Sequence, residues 1–141
     1  MTDLETAIAN LEGHSICLCK DGAILTDDAK GIAPMMKLIS SGKDVSGYSV
    51  ADLIVGRAAA MLFIKAGITS VYGKVMSKGA EALLQSQGIP CRYDVLTERI
   101  INREGTDVCP MEKTVADITD PNEAYLALKA RIEQMRAAKK Q

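Results

Sequence analysis

A strand–helix–strand pattern in the second half of the chain restricts the possible folds more than any other sequence feature. The β-rich run TSVYGKV precedes the helical pattern SKGAEALLQSQG, and a second β-rich run, CRYDVL, follows. Because the links between these elements are short, we expect the two strands to be parallel and joined by a right-handed crossover. The pattern therefore predicts an α/β protein.

The N-terminal part of the chain predicts an amphipathic helix followed by a β-hairpin. Thr2 and Glu5 have the spacing of a capping box, and Gly13 is a typical helix end. Strands at residues 14–20 and 23–27 flank an Asp-Gly pair, the strongest short signal of a tight hairpin turn. These two strands are expected to pair antiparallel.

Three further helices complete the predicted order of elements. They span residues 31–41, a segment starting at Pro110, and about residues 121–138. With 141 residues, 48% of them hydrophobic, the chain is long enough for one core. The fold class expected is α/β, a three-layer mixed β-sheet with helices on both faces, in a single domain over residues 1–141.

The most apolar segment predicts a buried helix from about Val50 to Ala66, ending at Gly67. Ser49 and Asp52 have a capping-box spacing, with aspartate in place of the usual glutamate. Two interpretations of Asp52 follow: it caps the helix only, or it caps the helix and also contacts a ligand in a cleft.

Two residues inside this segment are unusual for a buried helix. Glycine costs about 1 kcal/mol relative to alanine in a helix, so Gly56 suggests close approach by a backbone or a ligand. Arg57 is costly in so apolar a helix unless it is paired or reaches the surface. Arg57 therefore forms a salt bridge, extends to solvent, or binds an anionic ligand such as a phosphate.

Composition excludes several classes of protein. The formal net charge of -1 gives no basic field for nucleic acid, and the N-terminus lacks a signal-peptide pattern. Arg57 interrupts the apolar segment 50–64, which is too short and too charged to span a membrane. The four cysteines contain no C-x-x-C pair, so reduced thiols in a cytoplasmic protein are expected.

The stretch GTDVCPMEKTV places Cys109 and Glu112 at the start of a helix, with Pro110 as its first residue. The helix dipole favours a thiolate at Cys109, whereas Glu112 opposes it. The open interpretations are a nucleophile, a helix cap, and a ligand contact without chemistry. With His14 as the only histidine, neither a base for Cys109 nor a zinc site is well supported.

A further candidate site lies at the start of the helix that follows TSVYGKV. Ser77 is the expected cap, and Lys78 and Gly79 follow it. Backbone N–H groups and a lysine at a helix start can hold an anion, although the spacing is not that of a Walker loop. Consecutive helices in an open sheet start at the same strand edge, so this start and Asp52 are expected to line one crevice.

The blocks ADLIVGRAAAMLFIKAGITSVYGKVMSKGAEALL and NREGTDVCPMEKTV resemble a short prokaryotic family of unknown function with a cytidine deaminase-like fold. The resemblance covers nearly the whole chain up to the last helix. It implies that two helix starts meet at one site, where zinc deaminases carry H-x-E or C-x-E and then P-C-x-x-C. Here Asp52 lies near the first motif, VMSKGAEA replaces the second, and CPME follows the next strand. The resemblance therefore implies the fold without its zinc chemistry.

The function expected from the sequence is binding of a nucleotide-like or other anionic small molecule in the ancestral cleft, with no cofactor, metal, nucleic acid or membrane. One alternative is a covalent ribosyl or nucleotidyl adduct on Asp52 or Glu112, with Cys109 as a further nucleophile. Another is a scaffold or regulatory protein, for which a homo-oligomer is plausible. Whether the protein is an enzyme is left open. The predicted ligand-binding residues are Asp52, Gly56, Arg57, Ser77, Lys78, Gly79, Cys109 and Glu112.

Overall fold

A five-stranded mixed sheet organises the computed structural model, which describes residues 1–102 and 104–139. Its strands are arranged in the order β2-β1-β3-β4-β5. The first strand is antiparallel to both of its neighbours, whereas β3, β4 and β5 are parallel. The elements are α1 (Asp3–Ala9), β1 (Ile16–Lys20), β2 (Ala23–Asp27), α2 (Ala33–Ser40), β3 (Ser49–Val55), α3 (Arg57–Ala66), β4 (Ser70–Ser77), α4 (Lys78–Ser86), β5 (Cys91–Thr97), α5 (Pro110–Val115) and α6 (Pro121–Lys139).

Local sequence signals predicted several of these elements correctly. The capping box of α1 is formed in both directions between Thr2 and Glu5. The β1–β2 hairpin turns at Asp21 and Gly22, which both have positive φ, as the tight Asp-Gly turn requires. The predicted crossover is β4–α4–β5, with parallel strands.

The predicted helix from Val50 to Ala66 is wrong in its first half, because residues 49–55 form strand β3. This strand is central, pairing with β1 on one side and β4 on the other. A central strand covered on both faces has a nearly continuous apolar sequence, which periodicity does not distinguish from a buried helix. The capping box between Ser49 and Asp52 is therefore absent from this part of the structure. Ser49 instead hydrogen-bonds through its hydroxyl to Ser70, at 2.6 Å.

Helices cover both faces of the sheet, and the alternation along β1 shows which side chains face each layer. Ile16 and Leu18 pack into the larger core, which α3 dominates, whereas Cys17 and Cys19 pack into a smaller core with α1. Among the helices of the described residues, none combines the length and the apolar character needed to cross a bilayer.

Gly73 lies where β3 and β4 pack most tightly. A Cβ atom at this position would lie 2.8 Å from Cγ2 of Val55, the last residue of β3. Because Val55 is fully buried, it has little room to move away.

We expect the substitution Gly73→Ala to lower the free energy of unfolding by about 1–3 kcal/mol, because its methyl group overlaps Val55. Urea denaturation would measure this loss. Gly79→Ala is the matched control. A Cβ there meets no atom of the described chain within 4 Å, and alanine favours a helix. Equal stability of Gly73→Ala and the unchanged protein would contradict the tight packing of β3 on β4.

Candidate functional site

The starts of α3 and α4 lie side by side at the carboxyl edge of the parallel strands. Val55 at the end of β3 pairs with Met76 in β4, and Ser77 pairs with Thr97 in β5. Helix α3 follows Val55 after a single residue, Gly56, and α4 follows Ser77 directly. In open α/β sheets this edge is where ligands bind.

The N-terminus of α3 binds a carboxylate from elsewhere in the chain. The N–H group of Arg57 donates to Oε1 of Glu112 at 2.7 Å, and the N–H group of Ala58 donates to Oε2 at 2.8 Å. These groups are otherwise unpaired at a helix start, and the helix dipole favours a negative charge there. Glu112, which lies in α5, thus occupies the anion position of α3.

The close approach expected at Gly56 is made by side chains. A Cβ atom on Gly56 would lie 2.2 Å from Oε1 of Glu112 and 2.8 Å from Cγ1 of Ile100. Any larger residue would therefore displace the carboxylate from the helix start. Glycine is required at this position for contact between α3 and α5.

The Arg57 side chain makes the reciprocal contact with the other end of α5. Its Nε donates to the carbonyl oxygen of Val115 at 3.1 Å, and Nη2 donates to that of Ile118 at 2.6 Å. A cation beside the last carbonyl groups of a helix is electrostatically favourable. We call this set of four hydrogen bonds the α3–α5 clamp. Two join the N–H groups of Arg57 and Ala58 to the Glu112 carboxylate, and two join the Arg57 guanidinium to the carbonyl groups. In this structure the Arg57 guanidinium binds the protein itself.

Cys109 precedes α5 as its N-cap residue and is half-buried. Its N–H group donates to the carbonyl oxygen of Ile100 at 2.9 Å, which fixes the loop that leads into the helix. The histidine considered as its base, His14, bonds through Nδ1 to Asp28 at 2.6 Å. Within the described ranges, no three side chains of His, Cys, Asp or Glu are grouped so that they could hold a metal ion.

The start of α4 differs from that of α3 because its glycine, Gly79, has no side chain packed against it among the described residues. Ser77 is the N-cap, as expected, and its hydroxyl accepts a hydrogen bond from the N–H group of Ala80 at 3.1 Å. Gly79 has nothing within 4 Å of a Cβ built on it, as far as the described residues extend. Lys78 is exposed and donates to Glu98 at 2.5 Å, which raises the pKa of Lys78 and lowers that of Glu98.

Asp52 lies inside β3 rather than at a helix start, between Ile16 in β1 and Gly73 in β4. Only 7% of this residue is exposed. Its Oδ1 accepts a long hydrogen bond of 3.4 Å from the N–H group of Ile54. Burial raises the pKa of Asp52 to about 7, and no charged group of the described chain contributes to this shift. Near neutral pH its carboxyl group can therefore either donate or accept a proton.

The predicted site residues thus separate into four groups. Gly56, Arg57 and Glu112 meet in the clamp, Ser77 to Gly79 form the open start of α4, Asp52 lies within the sheet, and Cys109 is the N-cap of α5. Sequence reasoning missed the carbonyl groups of Val115 and Ile118. No local pattern connects Arg57 with acceptors 58 and 61 residues away.

The comparisons with known proteins agree with this architecture. The family model described as "Domain of unknown function (DUF1893)" matches residues 6–132. The crystal structure of a DUF1893 family protein (TM1506) from Thermotoga maritima is similar, with a TM-score of 0.83 and 26% sequence identity. The similarity covers 93% of this chain and 91% of that one. No curated protein matches the chain.

Removal of the Glu112 carboxylate tests the clamp. We expect Glu112→Ala to lower the free energy of unfolding by about 2–3 kcal/mol, since two charge-assisted hydrogen bonds are lost. Glu112→Gln keeps one acceptor oxygen and should lose less. Urea denaturation measures the stability, and amide hydrogen exchange at Arg57 and Ala58 reports the freed N–H groups. Glu123→Ala, in the exposed first turn of α6, is the control. Unchanged exchange at both amides would refute the clamp.

The raised pKa of Asp52 predicts that the stability of the protein depends on pH. The unfolded carboxyl group loses its proton near the usual pKa of 3.8, whereas the folded one keeps it up to about pH 7. The folded state binds more protons in this window, so stability falls as the pH rises from about 4 to 7 and then levels off.

The substitution Asp52→Asn should remove this dependence. At pH 8 it should raise the free energy of unfolding by on the order of 3 kcal/mol, with little gain at pH 4. Thermal melts over this pH range would measure it, with the exposed Asp117→Asn as control. A variant Asp52→Asn that follows the same pH profile as the unchanged protein would show that Asp52 is not the responsible group.

Proposed function

This chain belongs to the DUF1893 family, whose function is unknown, and we propose that it binds a small, anionic, nucleotide-like molecule at the carboxyl edge of its sheet. The observation that carries this proposal is the open start of α4, next to an α3 start that already binds a carboxylate. Helix starts that present free N–H groups attract phosphate and carboxylate groups. The cytoplasmic location expected from the reduced thiols stays a prediction.

The proposed contacts are Lys78 and the backbone around Gly79. Both residues belong to the first turn of α4, which begins beside the end of β5, and a Cβ atom built on Gly79 meets no atom of the described chain within 4 Å. The ion pair between Lys78 and Glu98 is exposed, and exposed pairs contribute little stability, so Lys78 is free to turn toward a phosphate. The clamp holds α3 and α5 together beside this site. In the proposal its residues Gly56, Arg57 and Glu112 do not contact the ligand.

A cytidine deaminase-like assignment of the fold is part of the proposal. It is supported by a mixed sheet with two consecutive helices that start at one edge. In zinc deaminases those helix starts supply the metal ligands. Here α3 starts with Gly56, Arg57 and Ala58, and α4 with Ser77 to Gly79, none of which is a histidine or cysteine. Zinc does not fit these residues, so no zinc-dependent step is proposed.

The covalent alternative receives less support. Both oxygens of Glu112 accept backbone hydrogen bonds, and a carboxylate held in this way is a weaker nucleophile. Asp52 is 7% exposed and its raised pKa keeps much of it protonated near neutral pH. A sugar carbon would have to enter the sheet to reach it. Binding without covalent chemistry is the better supported function.

Thermal shift with inorganic phosphate, AMP and ribose 5-phosphate tests the proposal. At about 100 times its dissociation constant a ligand adds about 2.7 kcal/mol, which should raise the melting temperature by roughly 5–10 °C. Gly79→Asp places a negative charge at the helix start and should abolish this shift. The neutral Gly79→Asn should keep most of it.

Comparison of these two variants distinguishes electrostatic repulsion of the anion from destabilisation of α4. The negative charge of an aspartate in the first turn of a helix interacts favourably with the helix dipole. The variant Gly79→Asp should therefore be at least as stable as Gly79→Asn. If none of the three probes raises the melting temperature of the unchanged protein, or if Gly79→Asp still responds, the proposed site is wrong.

A further inference from the structure

Strand β5 forms one edge of the sheet and offers its free side to a partner. It is the last strand in the order and pairs with β4 along residues 91–97. Its middle residues are well exposed, with Tyr93 at 39% and Val95 at 54%. An edge strand presents a row of N–H and C=O groups that can pair with another strand.

The sequence of β5 lacks most of the usual devices that prevent such pairing. Protected edge strands carry charged side chains (above all lysine), proline or a bulge, or are very short. The seven residues CRYDVLT contain neither lysine, proline nor glycine, three of them (Tyr93, Val95 and Thr97) favour strands, and the two charged residues have opposite signs. Pro90 immediately precedes the strand, so it removes no N–H group from β5 itself.

The charges of β5 select a particular partner and register. Arg92 and Asp94 are two residues apart, so their side chains extend from the same face of the strand. This is the face of α1, because Asp94 accepts a hydrogen bond of 2.7 Å from the hydroxyl of Tyr72, which packs in the α1 core. The Asp94 carboxylate is thus held in a defined position on an exposed strand.

We propose that β5 pairs antiparallel with β5 of a second copy of this chain, around a two-fold axis at Tyr93. In this register Arg92 of each copy lies opposite Asp94 of the other, which gives two attractive pairs on one face. A register centred on Arg92 or on Asp94 would set like charges opposite each other. The charge pattern therefore complements itself in the Tyr93 register, as a two-fold interface requires.

Tyr93 lies opposite itself at the axis. Aromatic side chains directly across an antiparallel pair attract each other. The carboxylate of Glu81 in α4 raises the pKa of the Tyr93 hydroxyl, and alternation along the strand places the Tyr93 ring on the α4 face, away from the charged pairs. The dimer thus joins two sheets of five strands into one, with charged pairs on one face and an aromatic pair on the other.

Charge reversal tests the register directly. Arg92→Asp replaces two attractive pairs with two repulsive ones, so we expect the dimer dissociation constant to rise by about tenfold or more. Asp94→Arg should act in the same way. The double variant Arg92→Asp/Asp94→Arg restores opposite charges and should dimerise nearly as well as the unchanged protein. Sedimentation equilibrium over a range of protein concentrations measures each constant.

Mixing the two single variants gives a second test. In a mixed dimer both aspartates of the Arg92→Asp copy face the two arginines of the Asp94→Arg copy, so the mixture should dimerise although each variant alone does so poorly. Lys43→Asp, an exposed reversal outside the sheet, is the control for net charge. Near-ultraviolet circular dichroism confirms folding, since Asp94→Arg also removes the acceptor of the Tyr72 hydroxyl.

Three results would overturn the proposal. The unchanged protein could remain monomeric at every concentration. The partner of β5 would then be an extended segment of another protein and not a second copy of this chain. Arg92→Asp could dimerise as tightly as the unchanged protein, which would place the interface elsewhere. Dimerisation could fail to recover both in the double variant and in the mixture of single variants, although all variants are folded. This result would show that Arg92 and Asp94 do not face each other across the interface.

Discussion

The two carboxylate hydrogen bonds at the start of α3 are the contact on which the arrangement of the C-terminal half depends. Helix α3 is the main helix of the larger core, where its fully buried residues include Met61, Leu62 and Phe63. It begins one residue after the central strand β3, so its first N–H groups lie at the sheet edge. Glu112 satisfies two of them, and it thereby fixes α5 against α3.

Arg57 makes this contact reciprocal. Its guanidinium binds the carbonyl groups of Val115, the last residue of α5, and of Ile118 just beyond the helix. The backbone N–H group of Arg57 binds the carboxylate near the start of α5. One helix start and one helix end are thus satisfied by a single pair of residues. Because α6 follows α5 after five residues and also packs in the larger core, the clamp positions both helices.

The same contact explains why the two helix starts at the sheet edge have different properties. At α3 the position for an anion is filled by a side chain of the protein, and Gly56 makes the space for it. At α4 the N-cap Ser77 satisfies Ala80, and the space beside Gly79 is open. The proposed anion site is therefore limited to the start of α4.

The sequence by itself determined the elements that short patterns specify. The Asp21–Gly22 turn, the capping box at Thr2 and the N-cap at Ser77 all appear where local backbone chemistry requires them. It did not determine β3, since an apolar segment suits a central strand and a buried helix equally well. That choice depends on strands β1 and β4 pairing on both sides.

The tertiary structure alone decided the role of the site residues. Gly56, Arg57 and Glu112 were identified from the sequence as unusual, but their partners lie 54 to 61 residues away along the chain. Likewise, the carboxyl group of Asp52 acquires its raised pKa from burial within the sheet. Hydrogen bonds between distant residues and removal of water from a side chain arise only when the chain is packed, so a local pattern cannot specify them.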